Sequence, residues 1–242
     1  MPVISLFTFD KPLDMQNLCK NLNGKKSNDF WITAMVSKYN KEEIFIQYWY
    51  YEDIDDSIRQ VFEEDDAYEV VSFLKQNGKN KVLKRVYVFV NIKNKILEVY
   101  RGPDKKTEEI IKKISGYLKI KFTPLQLKSH EMERMLSHIS DLRTAVFRNV
   151  HGLKVEIMKA DALQENLKFK HHMKYFRNCF RGMTFRPDIK FLNNNNKYHV
   201  YLDGDRGTLY LSENEIFRWR PRYEIRQIVQ KIAECNGLVR MN

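Results

Sequence analysis

Lys170, Lys174, Arg177 and Arg181 follow one another at spacings of four, three and four. On a helix these spacings place the four cations in a row. Leu163, Phe169, Met173, Phe176 and Phe180 make an apolar stripe one residue, or about 100°, away around the axis. A helix over 162–181 is therefore expected to pack by one side and present positive charge by the next. Six basic residues lie between Asn166 and Pro187, Lys168 and Arg186 among them, with no Asp or Glu. Like charges at i,i+4 repel by about 0.2–0.5 kcal/mol per pair, so an unmixed run calls for a compensating partner. Phosphates suit it best and an acidic protein surface second. The bland alternative is an ordinary solvated face.

A second cluster, Arg218-Trp219-Arg220-Pro221-Arg222, stands before the last apolar helical pattern. Guanidinium forks bind phosphate at two points and stack on bases. An exposed Trp219 would offer a stacking platform worth roughly 1–3 kcal/mol per base; burial beside Phe217 is the preferred reading of that ring. Arg206, between Gly204 and Gly207 at a hairpin tip, is a candidate for the same surface. The run Tyr48-Trp49-Tyr50-Tyr51 invites comparison with sheets that stack single-stranded bases. Strand alternation would bury about half of these rings, so core packing is preferred, and a patch left exposed would suit a protein partner.

Patterns for bond-making chemistry mostly fail. His130-Glu131-Met132-Glu133-Arg134 begins like a helical zinc-protease motif but has Arg134 where the second histidine belongs. Asp203-Gly204-Asp205 starts like a calcium loop and lacks the closing ligands. There is no phosphate-binding or dinucleotide-binding glycine pattern, and no GxSxG turn. Cys179, near His171 and His172, reads as core. One element survives: Asp188-Ile189-Lys190 resembles the acidic-x-Lys element of metal-dependent nucleases, with Glu156 or Asp161 as a second carboxylate for Mg²⁺. A match of three residues is weak, so no catalytic residue, metal ligand, cofactor or small-molecule ligand is expected.

The elements that must position these residues follow from periodicity. Strands are expected at 3–9, 30–36, 44–50, 82–90 and 96–100. Helices are expected around 15–22 and on Ala67, Val70, Val71 and Leu74, and another is capped by Thr107 and buries Ile110, Ile111, Ile114 and Leu118. Thr123-Pro124 marks a boundary. Beyond it come a helix on Met132, Met135, Leu136 and Ile139, a strand pair (145–149 and 154–158), and the basic helix. A strand at 185–192, a hairpin (198–202 and 208–211) and a helix at 223–235 complete the chain. Hairpins alternating with helices predict an α+β fold of antiparallel sheets backed by helices. Two small lobes are expected, a near-neutral 1–122 and a basic 123–242.

Charge follows the same division. The formal net charge is +11; residues 143–242 carry 19 Lys and Arg against 10 Asp and Glu, and the remainder carry 23 against 21. Asymmetry of this kind points to a partner of opposite sign. No run approaches the ~20 apolar residues of a membrane span, and the first ten residues lack a secretory pattern. Three dispersed cysteines suit a reducing compartment, so a cytoplasmic protein without membrane attachment is expected.

The leading expectation is a non-catalytic nucleic-acid-binding protein. Its contacts would be Lys168, Lys170, Lys174, Arg177, Arg181, Arg186, Arg206, Arg218, Trp219, Arg220 and Arg222. Such phosphate contacts position without reading sequence, so they select neither DNA nor RNA. The first alternative is an accessory subunit of a larger nucleic-acid-processing protein. It would dock through the acidic run Glu63-Glu64-Asp65-Asp66 and the aromatic strand, and complete a shared channel. The second alternative is the Mg²⁺-dependent nuclease.

Overall fold

A computed structural model of the chain describes residues 3–11, 14–38, 40–59, 62–150, 152–188, 199–211 and 222–238. The fold is α+β, as the alternation of hairpins and helices predicts. The strands are β1 (Val3–Thr8), β2 (Phe30–Val36), β3 (Glu43–Asp53), β4 (Lys81–Asn91), β5 (Ile96–Val99), β6 (Thr123–Pro124), β7 (Ile139–Val150), β8 (Leu153–Lys159), β9 (Phe180–Pro187), β10 (Val200–Asp203) and β11 (Thr208–Leu211). The helices are α1 (Met15–Leu22), α2 (Ile54–Ile58), α3 (Glu64–Gln76), α4 (Lys105–Leu118), α5 (Ser129–Met135), α6 (Leu167–Phe176) and α7 (Arg222–Cys235).

All eleven described strands join one antiparallel sheet of order β2-β3-β4-β5-β1-β11-β10-β9-β7-β8, with β6 also paired to β1. The first strand of the chain is thus the seam, lying between β5 of the first half and β11 of the second. Thr123-Pro124 forms β6 on that seam. The two halves of the chain share a sheet but pack on opposite faces of it, because alternate residues of a strand point opposite ways. Phe7 and Phe9 join a core with Leu18 and Leu22 of α1, Ile110 and Ile114 of α4, and Ile32, Ile46 and Val88 of the hairpins. Ile4 and Leu6 join the other core, with Met132 of α5, Phe169 of α6, and Ile228, Val229 and Ile232 of α7.

Local differences from the expected elements have visible causes. α4 starts earlier than expected: Asp104, not Thr107, is its cap and accepts from the Thr107 amide at 2.8 Å, while Thr107 Oγ1 donates to the Gly102 carbonyl. The helix on Met132 ends before Ile139, whose backbone begins β7. The basic helix is also shorter than its pattern, as follows.

Candidate nucleic-acid interface

Asn166 starts α6 by accepting from the Lys168 amide at 2.8 Å. The buried side of the helix rests on β7 and β8. Phe169 lies 6.5 Å from the Phe147 ring centre, and His172 meets that ring edge-on at 4.7 Å and stands 3.1 Å from Glu156. The outer side is cationic. Lys168, Lys170 and Lys174 are all exposed, as is Arg177, the first residue after the helix. None of the four makes an ion pair among the described residues. Leu167 and Tyr175, 81% and 61% exposed, accompany them, and Lys174 approaches the Tyr175 ring at 5.7 Å.

The expected helix over 162–181 breaks at both ends. Leu163–Glu165 is a separate 3-10 turn, and a second one over Arg177–Cys179 leads directly into β9. Phe180 belongs to both patterns: it stands four residues after Phe176 and also opens a strand. Pairing with Phe147 of β7 decides in favour of the strand. Arg181 is therefore not the fourth cation of a helix row; it projects from β9.

Arg181 enters instead a cavity of about 570 Å³ whose wall includes Lys128, Ser129, His130, Asn178 and Asp205. Its guanidinium is held by three acceptors. Nε lies 3.3 Å from Asp205 Oδ1, while Nη1 donates to the Phe180 carbonyl at 3.2 Å and to Ser129 Oγ. Ser129 Oγ in turn donates to the Asn178 carbonyl at 2.8 Å. Asp205 is also bonded by Arg148, which reaches Asp203 at 3.3 Å.

The hairpin tip at 204–207 closes one side of this cavity. The Gly204 amide donates to the Arg181 carbonyl, and the Leu127 amide donates to Gly204 O, both at 2.8 Å. Gly207 has φ +57°, and a Cβ there would overlap the Leu125 carbonyl oxygen. Arg206 is exposed on this tip, next in sequence to Asp205. Arg177 precedes the lining residue Asn178, so the α6 cations and the cavity adjoin.

Other expected contacts are placed elsewhere. Arg186 is half-buried on β9, paired across to Asp141. Alternation sets it on the sheet face opposite Phe185, hence opposite α6. Arg222 cannot meet a phosphate in this fold: its side chain is 6% exposed and bonded to Glu43 at 2.7 Å and Glu98 at 2.5 Å. It also lies 4.1 Å from the Phe89 ring centre. A sequence reading counts an arginine beside a basic cluster as surface, whereas its partners stand 124 and 179 residues away. Arg218, Trp219 and Arg220 lie outside the described residues.

Tyr48 and Tyr50 are buried, as alternation requires, and Trp49 and Tyr51 fall on the other face. There Trp49 stacks on Trp31 at 5.4 Å and carries the Arg85 guanidinium at 4.9 Å, which also lies 4.6 Å from Tyr87. Phe45 stacks on Phe89 at 5.0 Å. These rings stay half-exposed and belong to neither core, and Met35, Tyr51 and Leu83 beside them are exposed.

The carboxylates weighed for catalysis are engaged or scattered. Glu156 faces His172 and Asp161 pairs with Arg143, while Asp188 is exposed with Ile189 and Lys190 outside the described residues. No group of three His, Cys, Asp or Glu among the described residues is placed to hold a metal ion. Burial pushes the Cys235 thiol up to about 11. No helix of the described residues is long and apolar enough to cross a membrane. No protein-family model matches the chain, and no curated protein matches it.

Proposed function

We propose that the protein binds nucleic acid without chemistry, holding the phosphate backbone against the exposed side of α6 and the Arg181–Arg206 margin beside it. One observation carries the reading: Lys168, Lys170, Lys174 and Arg177 are exposed together without an ion pair among the described residues. Some cations elsewhere in the fold are matched, Lys106 and Lys113 with Glu109, Arg101 with Asp104, Arg143 with Asp141, whereas these four stand within ten residues that hold no Asp or Glu. Concentrated positive charge of this kind binds phosphate by releasing counterions. The reading is tested by titrating single- and double-stranded DNA and RNA at several salt concentrations. A Lys170/Lys174/Arg177→Ala variant is expected to bind more weakly, with a salt slope shallower by ~0.9 per lost contact on duplex DNA. An unchanged slope would remove α6 from the interface.

The second reading is an accessory subunit, and it rests on a separate surface. Two features support it: the half-exposed aromatic rings around Trp49, and α3, where Tyr68 and Phe73 are 71% and 65% exposed behind the acidic first turn Glu64-Asp65-Asp66. Aromatic rings of this kind are favoured where proteins meet. This reading requires a partner protein, and loss of the partner's binding in Trp49→Ala/Tyr68→Ala with nucleic-acid affinity intact would support it.

A further inference from the structure

The cavity beside Arg181 differs in kind from the α6 surface. A duplex or an internal stretch of strand can lie along a convex row of lysines, but a concave space of about 570 Å³ is of small-ligand size. It suits something that ends there. Its charged groups are prearranged: Arg181 is fixed by Ser129, Phe180 and Asp205, and its Nη2 has no hydrogen-bond partner among the described residues. Lys128 and His130, both exposed, stand on the same wall. The one carboxylate among the described lining residues, Asp205, receives Arg148 as well as Arg181, and Arg148 also reaches Asp203. These arginines and aspartates therefore balance, and Lys128 adds a positive charge without an ion pair among the described residues. A guanidinium whose orientation is set in advance loses little freedom on meeting an oxyanion.

Resting on the nucleic-acid reading above, we infer that this cavity receives the terminal phosphate of a nucleic-acid strand, while the following backbone runs out over Arg177 and α6. A terminal phosphate monoester carries ~1.5–2 negative charges near pH 7, whereas each internal diester carries one. The monoester therefore gains more from Lys128 and the directed Arg181 guanidinium on one wall. It also presents more free oxygens to Arg181 Nη2 and Lys128 Nζ.

The test compares labelled single strands of one sequence bearing a 5′-phosphate, a 3′-phosphate or hydroxyl groups at both ends, with the full-length protein. One of the phosphorylated strands is expected to bind about tenfold more tightly than the hydroxyl-ended strand, the equivalent of one charge-assisted contact. Lys128→Ala, at an exposed side chain outside the proposed backbone-binding surface, should reduce that ratio and leave binding of the hydroxyl-ended strand nearly unchanged. Arg181→Gln should weaken the phosphorylated strand by more than the hydroxyl-ended one. Equal affinity for all three strands, with salt-dependent binding intact, overturns the terminal-phosphate inference and spares the proposed function. If no strand binds even at low salt, the proposed function fails and takes this inference with it.

Discussion

Arg222 donates from Nη2 to Glu98 Oε1 at 2.5 Å, joining the start of α7 to β5 across 124 residues of sequence. The same nitrogen reaches Glu43 of β3 at 2.7 Å, and Nη1 reaches Tyr100 at 3.0 Å. Arg222, Glu43 and Glu98 are buried, their side chains 6%, 0% and 0% exposed. The helix of the last residues is thereby tied to the sheet of the first hundred. Removing one member of a buried ion cluster leaves the others without compensation and costs about 3–5 kcal/mol. Arg222→Met is expected to lower stability by that amount in urea denaturation. Nucleic-acid affinity, measured where the variant is still folded, should stay at the wild-type level.

Two carboxylates on one guanidinium cannot both be fully compensated, and burial raises the Glu98 carboxyl above its usual range, with Arg222 opposing and Glu43 reinforcing the shift. The folded protein therefore keeps this proton to higher pH than the unfolded chain does. The resulting stability is complete below the unfolded value, ~4.3 for a glutamate, and is lost as pH rises through the folded value. Glu98→Gln has no such loss. The stability of the wild type relative to Glu98→Gln should fall as pH rises from about 4 to 7, in denaturation measured at fixed ionic strength. A difference independent of pH would show that Glu98 is ionised throughout that range.

The hairpin tip beside the cavity depends on glycine. At Gly207 the backbone is left-handed and the Leu125 carbonyl fills the space of a side chain, while the Gly207 carbonyl accepts from the Leu6 amide at 2.9 Å. Gly207→Ala should destabilise by more than ~1 kcal/mol, because both the φ angle and the overlap oppose it. Gly78, with φ +74° and open space around it, supplies the control. Gly78→Ala keeps the φ penalty without the collision and should cost less in the same thermal unfolding series.

Much of the fold is legible in the sequence because its signals are local. The pairing of Phe30–Val36 with the strand beginning at Glu43 follows from alternation, and α7 is readable from Ile225, Ile228, Val229 and Ile232. Two things are not local. Ile4 and Leu6 of the seam strand β1 alternate with Phe7 and, just past its end, Phe9, all apolar, and nothing in that run says that each set serves a different core. Phe180 fits a helical period of four and a strand period of two, and only its pairing with β7 chooses. The same ambiguity moved Arg181 from a helix row into the cavity. For Arg222 the decisive fact is a pair of distant glutamates, which no neighbouring residue announces.

Arg186 and Lys174 offer the sharpest test of which surface meets the ligand. Both come from the acid-free run between Asn166 and Pro187, so composition treats them alike. The structure separates them: Lys174 is exposed on α6, and Arg186 lies on the opposite face of β9, near Asp141. If the backbone of a nucleic acid rests on α6, Lys174→Ala should weaken binding and flatten the salt dependence by ~0.9 for a duplex phosphate contact. Arg186→Ala should leave both affinity and slope close to wild type. Equal losses from the two substitutions would mean that the strand wraps the edge of the sheet at β8. A loss from Arg186→Ala alone would place the interface on the face of β9 that carries Arg186.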